Sequence, residues 1–292
     1  HSVGHSYRSH VPIEPWLSDQ WYVRVSDDRL CGEALRAMSA DQIEGDPPPR
    51  EIGKRKGDGG ISFTPARYAR TFQHWHENLR DWCISRQLWW GHRIPVWTLE
   101  CPLVEGLPED PLSPPPAGCS LPMCETQDSD LCVRLSVNTA ESVVRILACV
   151  DRERSDLEQQ LEAAGFTQDP DVLDTWFSSA LWPMSTMGWP DASAFPETEG
   201  LLDAFNPTNV LCTAREIITL WVSRMVMFNR YFLDGRIPFK DVYIHPMVQD
   251  GHGQKMSKSL GNGVDPRDII HSHGTDALRF VMAQIATETQ DV

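Results

Sequence analysis

Between residues 209 and 244 an apolar strand, a long one-faced helix and a second apolar strand follow one another, and that order admits few folds. Asn209-Val210-Leu211-Cys212 reads as a buried strand. From about Ala214 to Phe232 the residues Ile218, Trp221, Met225, Phe228 and Phe232 recur at helical spacing and line one face. Asp241-Val242-Tyr243-Ile244 reads as the next strand. Two strands joined through a helix run parallel when they share a sheet, because a tight hairpin is not open to them. The fold class that follows is α/β.

The flanking segments surround that unit. Trp21-Tyr22-Val23-Arg24-Val25 predicts a short strand, and the Gly-, Pro- and charge-rich residues 45–60 predict a surface loop. Thr64 as N-cap and Pro65 at the first helical position open a helix whose buried face is Tyr68, Phe72, Trp75, Leu79 and Trp82. Residues 98–170 change character. Pro108 to Pro122 is proline rich, and two short helices follow, the second bounded by a Ser155–Glu158 capping box and by Gly165. This stretch reads as an irregular and helical insertion that interrupts a larger domain. Asp265-Pro266 opens a short helix that Gly274 ends, and another runs from Thr275 to about Ala286.

Composition narrows the class. A chain of 292 residues with 41% hydrophobic residues suits a globular core. The formal net charge of -15 argues against coating nucleic acid through bulk positive charge, although a local basic patch stays open. Apolar runs are short and broken by charge, so no membrane span is expected. The eight cysteines are scattered, and a reducing cytoplasm is the simpler expectation. Cys101 has no partner three residues on, Cys119 and Cys124 are separated by four residues, and Cys132 stands alone. That spacing is poor for structural zinc, and no metal-ligand set is expected. The sequence starts at His1 rather than Met, so an internal piece of a longer protein is expected.

The chemistry is concentrated between Gly251 and Gly263. Lys255 and Lys258 stand three apart, with Ser257 between them and Ser259 after them, and four glycines flank the run. Such a backbone moves readily and approaches a ligand closely. Two ammonium groups on a mobile loop suit a reaction that builds charge on phosphate oxygens, such as attack on the α-phosphorus of ATP with loss of pyrophosphate. Lysines that reach those oxygens mainly in the transition state lower the barrier without a covalent intermediate.

Lys255-Met256-Ser257-Lys258-Ser259 resembles the signature loop of the class I aminoacyl-tRNA synthetases. Asp81-Trp82-Cys83-Ile84-Ser85-Arg86-Gln87 and the following residues to Pro95 are similar to the valine, isoleucine and leucine branch. Within it, Leu88-Trp89-Trp90-Gly91-His92 and the run from Asp171 to Pro183 resemble the valine-specific members. The likeness spans roughly 1–97 and 171–292 and is thin across 98–170. It implies the C-terminal half of a Rossmann-like parallel-sheet nucleotide-binding domain: 1–97 following an editing insertion, 98–170 inserted, and 171–292 carrying the signature loop and the helices after it. It implies ligation of valine to tRNA(Val) through valyl-adenylate, with ATP and Mg2+, in the cytoplasm and by a parent enzyme expected to be monomeric. By the same resemblance Lys255 and Lys258 stabilise triphosphate charge. Met256, Ser257, Ser259, Glu216 and His245 attend the nucleotide, and Trp90, Val172 and Trp176 wall a small rigid valine pocket. Gly274 to Phe280 resembles the family helix after the loop, where Arg279 is expected as a structural ion-pair residue.

Departures from the family keep alternatives open. Thr213-Ala214-Arg215-Glu216 stands where Gly-x-Asp is usual, so Glu216 reads equally as a ribose contact or as the acid of a capping box. Pro246 follows His245 where Gly is common. The second class I signature, His-x-Gly-His, is not found; the histidine spacings at 1–5, 74–76 and 271–273 are wrong. The half of the fold that carries it, and the editing domain, are expected before His1, and an anticodon-binding helical domain after Val292. The segment by itself is expected to bind ATP weakly and to form no valyl-adenylate. Two rivals stand beside this reading. One is an isoleucyl or leucyl enzyme, which Leu88, Trp89 and Ser179-Ala180-Leu181-Trp182-Pro183 count against. The other is a catalytically inactive synthetase-like module that binds RNA or a partner, favoured by the missing histidine signature.

Overall fold

The computed structural model describes residues 3–6, 9–14, 16–45, 59–102, 131–138, 143–150, 154–257 and 260–285. In chain order its main elements are β1 (Ser62–Thr64), α1 (Arg67–Glu77), β2 (Val96–Pro102), β3 (Leu131–Asn138), β4 (Val143–Val150), α2 (Ser155–Ala163), β5 (Thr167–Gln168), β6 (Thr208–Ala214), α3 (Ser223–Phe232), β7 (Phe239–His245), α4 (Pro266–His273) and α5 (Thr275–Ile285). Contacts divide the chain into two compact units. The first is His1–Trp21 with Ile84–Asp174, and the second is Tyr22–Cys83 with Thr175–Val292.

The second unit is built on a parallel sheet of order β6-β7-β1. β6 pairs with β7 from Thr208 opposite Phe239 to Ala214 opposite His245, and β7 pairs with β1 from Asp241 opposite Ser62 to Tyr243 opposite Thr64. The crossover from β6 to β7 is one continuous helical path: a 3-10 turn at Arg215–Ile217, a wider π turn at Ile218–Val222, and then α3. Ile218, Met225 and Phe228 are buried, as their periodicity predicts. Phe232 is not, at 43% exposure, and the one-faced reading needs correction. Every residue from Ser223 to Arg230 is buried, so α3 is enclosed on all sides up to its last two residues. The expectation of a buried strand at 209–212 is also corrected. Among the described residues β6 is an edge strand with a neighbour on one side, and Val210 is 58% exposed. Apolar composition reports which side chains prefer to be covered, and says nothing of how many strands will be there to cover them.

Thr64 belongs to β1 and does not cap the helix. The proline that follows it disfavours helical backbone at Thr64 and keeps that residue extended. α1 therefore starts at Arg67, and its covered face is Ala69, Phe72, Gln73 and His76. Trp75 is partly exposed, and Trp82 falls beyond the helix in a two-residue strand paired with Tyr22–Val23.

Polar groups fix α3 in its apolar surroundings. Arg230, wholly buried, donates from Nε (3.1 Å) and Nη2 (2.7 Å) to Oε2 of Glu33, and from Nη1 to the Gly235 carbonyl (2.7 Å). The side-chain amides of Asn206 and Asn229 bond each other at 2.7 and 3.2 Å. His76 lies 2.7 Å from the Phe72 carbonyl through Nδ1, which must carry the proton because a carbonyl only accepts. Its Nε2 then accepts from the Ser223 hydroxyl at 2.9 Å.

The first unit is different in kind. Its sheet runs β3-β4-β2-β5 with every pairing antiparallel. Val144, Ile146, Ala148 and Val150 of β4 are buried with Trp97, and α2 adds Leu157 and Leu161 to that core. The region read as an irregular and helical insertion thus holds strands and a single helix among its described residues. The period of two at 144–150 marks a strand with one covered face, where a helix would repeat at 3.6. α2 and the left-handed Gly165 (φ 91°) agree with the sequence reading, but Arg154 takes the cap position without a side-chain bond. The proline-rich run Pro108 to Pro122 lies outside the described residues. In the second unit α4 opens as predicted, with the Asp265 carboxylate accepting from the Arg267 N–H at 2.9 Å, and Gly274 follows its last turn.

Two predictions follow from the enclosed helix. Arg230→Met takes the nearer cation from the buried Glu33 carboxylate and leaves it the longer contact with Arg36 at 3.6 Å. It should cost up to about 3–5 kcal/mol, read as a fall in the urea midpoint. Burial pushes His76 down from 6.5 to about 4, with the Arg224 charge adding to the shift and the Phe72 carbonyl opposing it. Between those values the unfolded chain binds a proton that the folded chain refuses. Stability is therefore complete above pH 6.5 and declines toward pH 4, by at most about 3 kcal/mol. His76→Gln should flatten that limb of the midpoint-against-pH curve.

Candidate nucleotide site

β6 and β7 end side by side, with Ala214 opposite His245. In an open parallel sheet the carboxyl ends of the strands, where the chain turns into helices and loops, are where ligands bind. Glu216 stands in the first helical turn after β6, and His245 is the last residue of β7. The chain leaving β7 folds back on itself, with Gln249 and Lys255 forming an antiparallel bridge. That return carries the Lys255 ammonium to within 2.5 Å of Glu216 Oε1. A carboxylate and an ammonium thus meet at the carboxyl ends of the parallel strands. No side-chain cap bond forms at the start of this helical path, so the capping-box reading of Glu216 is not realised. The His245 Nδ1 donates to the Pro246 carbonyl at 2.8 Å, which leaves Nε2 as the acceptor nitrogen of the neutral ring.

Asp250 organises the loop. Its Oδ1 accepts from the backbone N–H groups of His252 (2.9 Å) and Gln254 (2.8 Å), and its Oδ2 accepts from the Asn262 amide (2.8 Å). Asn262 Oδ1 accepts from the Ser257 N–H at 2.9 Å, and its Nδ2 also donates to the Lys255 carbonyl at 3.3 Å. These side chains close a clasp around residues 250–262, with Gly253 (φ 74°) and Gly261 (φ 65°) at the turns. The Asn262 amide first, and then the Gln254 and His252 N–H groups, hold the Asp250 carboxyl below its ordinary value. Ser257 supports the same loop, its hydroxyl accepting from the Leu260 N–H (3.2 Å) and its carbonyl from the Gly261 N–H (3.1 Å). Met256 is half-buried, and Lys258 and Ser259 lie outside the described residues. Sequence reading passes over Asp250 as a functional residue. An Asp ahead of Gly-x-Gly is nonetheless an Asx-turn signal, and that could have marked it.

The residues assigned to an amino-acid pocket are divided between the units. In the first unit Val172 is buried, in the strand that pairs with Ser85–Arg86. Gly91 crosses it so closely that a Cβ there would stand 2.9 Å from Val172 Cγ2, at a φ of 150° that also favours glycine. Arg93 ties the same loop down, donating to the carbonyls of Asp169 (2.8 Å) and Gln168 (3.0 Å). The Trp90 ring, expected to wall a pocket, is 89% exposed. Trp176 lies in the second unit, half-buried on the short helix Thr175–Ala180. An open cleft of about 620 Å³ is lined by Arg67, Arg70 and His74 of α1 and by Thr219 of the π turn, and none of the described signature-loop residues line it.

A family model described as tRNA synthetases class I (I, L, M and V) matches residues 12–102 and 121–292. The valine–tRNA ligase of Rhodopirellula baltica is 42% identical over 292 residues, which cover 99% of this chain and 25% of that protein. That of Anoxybacillus flavithermus is 40% identical, covering 100% of this chain and 25% of its own length. The chain therefore spans about a quarter of the length of the curated relatives it matches. A crystal structure of a LeuRS–tRNA–LeuAMS complex from Agrobacterium radiobacter K84 aligns with 78% of this chain and 29% of its own, at 23% identity and a TM-score of 0.43.

Breaking the clasp should loosen the loop without unfolding the sheet. Asp250→Ala and Asn262→Ala are expected to speed amide hydrogen exchange at His252, Gln254 and Ser257 while leaving β7 protected. Because the Asp250 carboxyl is lowered, the clasp is complete above the ordinary carboxylate value of 3.8 and opens as pH falls through the lowered one. Exchange rates that do not differ from wild type at neutral pH would contradict this.

Proposed function

Because this chain belongs to the class I tRNA synthetases of the isoleucine, leucine, methionine and valine group, we propose that the protein carrying it joins valine to tRNA(Val) in two steps. In the first, a valine carboxylate oxygen attacks the α-phosphorus of ATP, and pyrophosphate leaves. In the second, a hydroxyl of the terminal tRNA ribose attacks the valyl carbonyl, and AMP leaves. The observation that carries this reading is the return of the Lys255 loop to the carboxyl ends of β6 and β7. There a cation faces the space that a nucleotide occupies in an open parallel sheet.

In this reading Lys255 and Lys258 meet the charge that grows on the pyrophosphate oxygens. The resemblance assigns Met256, Ser257 and Ser259 to ATP binding, and His245 offers its Nε2 to a nucleotide hydroxyl. The resemblance assigns Trp90, Val172 and Trp176 to the valine side chain, and residues 98–170 to an insertion within the catalytic domain. Mg2+ suits a site of this kind as an ion carried on the triphosphate, since it keeps phosphate and water ligands in preference to a protein cage. Among the described residues no three His, Cys, Asp or Glu side chains gather as a metal site. The expected setting is the cytoplasm; among the described residues no helix is long and apolar enough to cross a membrane.

Valine-dependent ATP–pyrophosphate exchange, measured on the longest natural polypeptide that contains these residues, tests the proposal. Valine should stimulate exchange far more than isoleucine, leucine or methionine, and a preference for any of those would overturn it. Lys255→Ala should lower the exchange kcat by about 10²–10³, the loss typical of one transition-state donor.

A further inference from the structure

We propose that Glu216 is a positioning residue, whose ion pair with Lys255 withholds that lysine from bound ATP until charge builds in the transition state. This rests on the synthetase reading and deepens it.

The pair is close but open to water. Nζ and Oε1 are 2.5 Å apart, and the lysine and glutamate side chains are 56% and 35% exposed. An exposed pair of this kind parts at small cost. Its two halves differ in freedom. Glu216 sits at the start of the helical path, two residues before the fully buried Ile218, so its backbone is anchored in the core. The Lys255 backbone is held by the bridge to Gln249 and by the Asn262 amide, but its four-carbon stem swings freely. When the pair opens, the ammonium moves and the carboxylate stays.

That asymmetry bears on rate. A lysine that binds the triphosphate equally in the ground state and the transition state lowers KM and leaves kcat where it was. A fixed carboxylate competes with the ground-state phosphates for the same ammonium and weakens that early contact. As the bond to pyrophosphate breaks, negative charge grows on the departing oxygens, and they win the lysine from Glu216. The pair is given up on the way, so Glu216 keeps the lysine off the ground-state phosphates at the cost of the pair's own strength. Were Glu216 instead a direct ribose ligand, its removal would weaken ATP binding.

The test uses the longest natural polypeptide with wild-type sequence, Glu216→Gln, Lys255→Met, and both changes together. ATP affinity is measured by calorimetry without amino acid, and exchange kinetics with valine. Glu216→Gln should tighten ATP binding about two- to fivefold, the range an exposed ion pair allows. It should lower KM for ATP without lowering kcat, and so raise kcat/KM by up to the strength of the lost pair, about two- to fivefold. In the Lys255→Met background it should change nothing. Weaker ATP binding in Glu216→Gln, or an equal effect with and without Lys255, would overturn the proposal. The binding arm is independent of the amino acid. Tighter ATP binding without valine-dependent exchange would sink the synthetase reading and keep the pair.

Discussion

A guanidinium enclosed on every side has to be paired, and in the second unit that requirement falls on Arg230 and Glu33. Neither charge is tolerable alone in an apolar interior, so the helix that carries Arg230 has one acceptable seat. The Gly235 carbonyl, and the Asn206 amide paired with Asn229 of the helix, complete that seat. Swapping such a pair for apolar side chains often costs nothing in stability. Its evident effect here is geometric: it sets where α3 lies and how it is rotated.

From that helix the site follows by continuity. α3 prolongs a helical path that starts at the end of β6, so fixing the helix fixes its first turn and with it Glu216. The parallel pairing of β6 with β7 brings His245 and the chain after it to the same edge of the sheet. The loop then closes on itself through Asp250 and Asn262, which hold backbone and leave the lysine stem free. Rigid parts supply position and a flexible stem supplies reach, a division suited to a group that must meet its target late in a reaction.

Much of this is legible in residue order, for identifiable reasons. Strand–helix–strand succession implies parallel pairing because the connection leaves no other geometry. Asp265-Pro266 and Gly274 mark the ends of α4 because capping and left-handed backbone are local properties. The signature loop is legible because two lysines, two serines and four glycines are needed within one short run. Where the reading fails, the deciding partner is far away. Trp75 and Trp82 look like one helix face with Phe72, but Pro65 keeps Thr64 in a strand, and Trp82 pairs instead with Val23. The alternation at 144–150 is present in the sequence, yet its weight shows only once β2 and β3 lie on either side of β4.

Glu216 and Lys255 mark the boundary between the two kinds of information. The sequence by itself determined the chemistry on offer: an acid at a helix start, two lysines on a glycine-flanked loop, and valine-type motifs around Trp90 and Trp176. Residue type and local spacing carry that much, since charge, flexibility and backbone preference belong to the chain wherever it lies. Only the tertiary structure decided that Glu216, 39 positions earlier, meets Lys255 rather than capping its own helix. That choice turns on the register of β6 against β7 and on the closure of the 250–262 clasp. Both are contacts between distant segments, whose energies no local stretch of sequence contains.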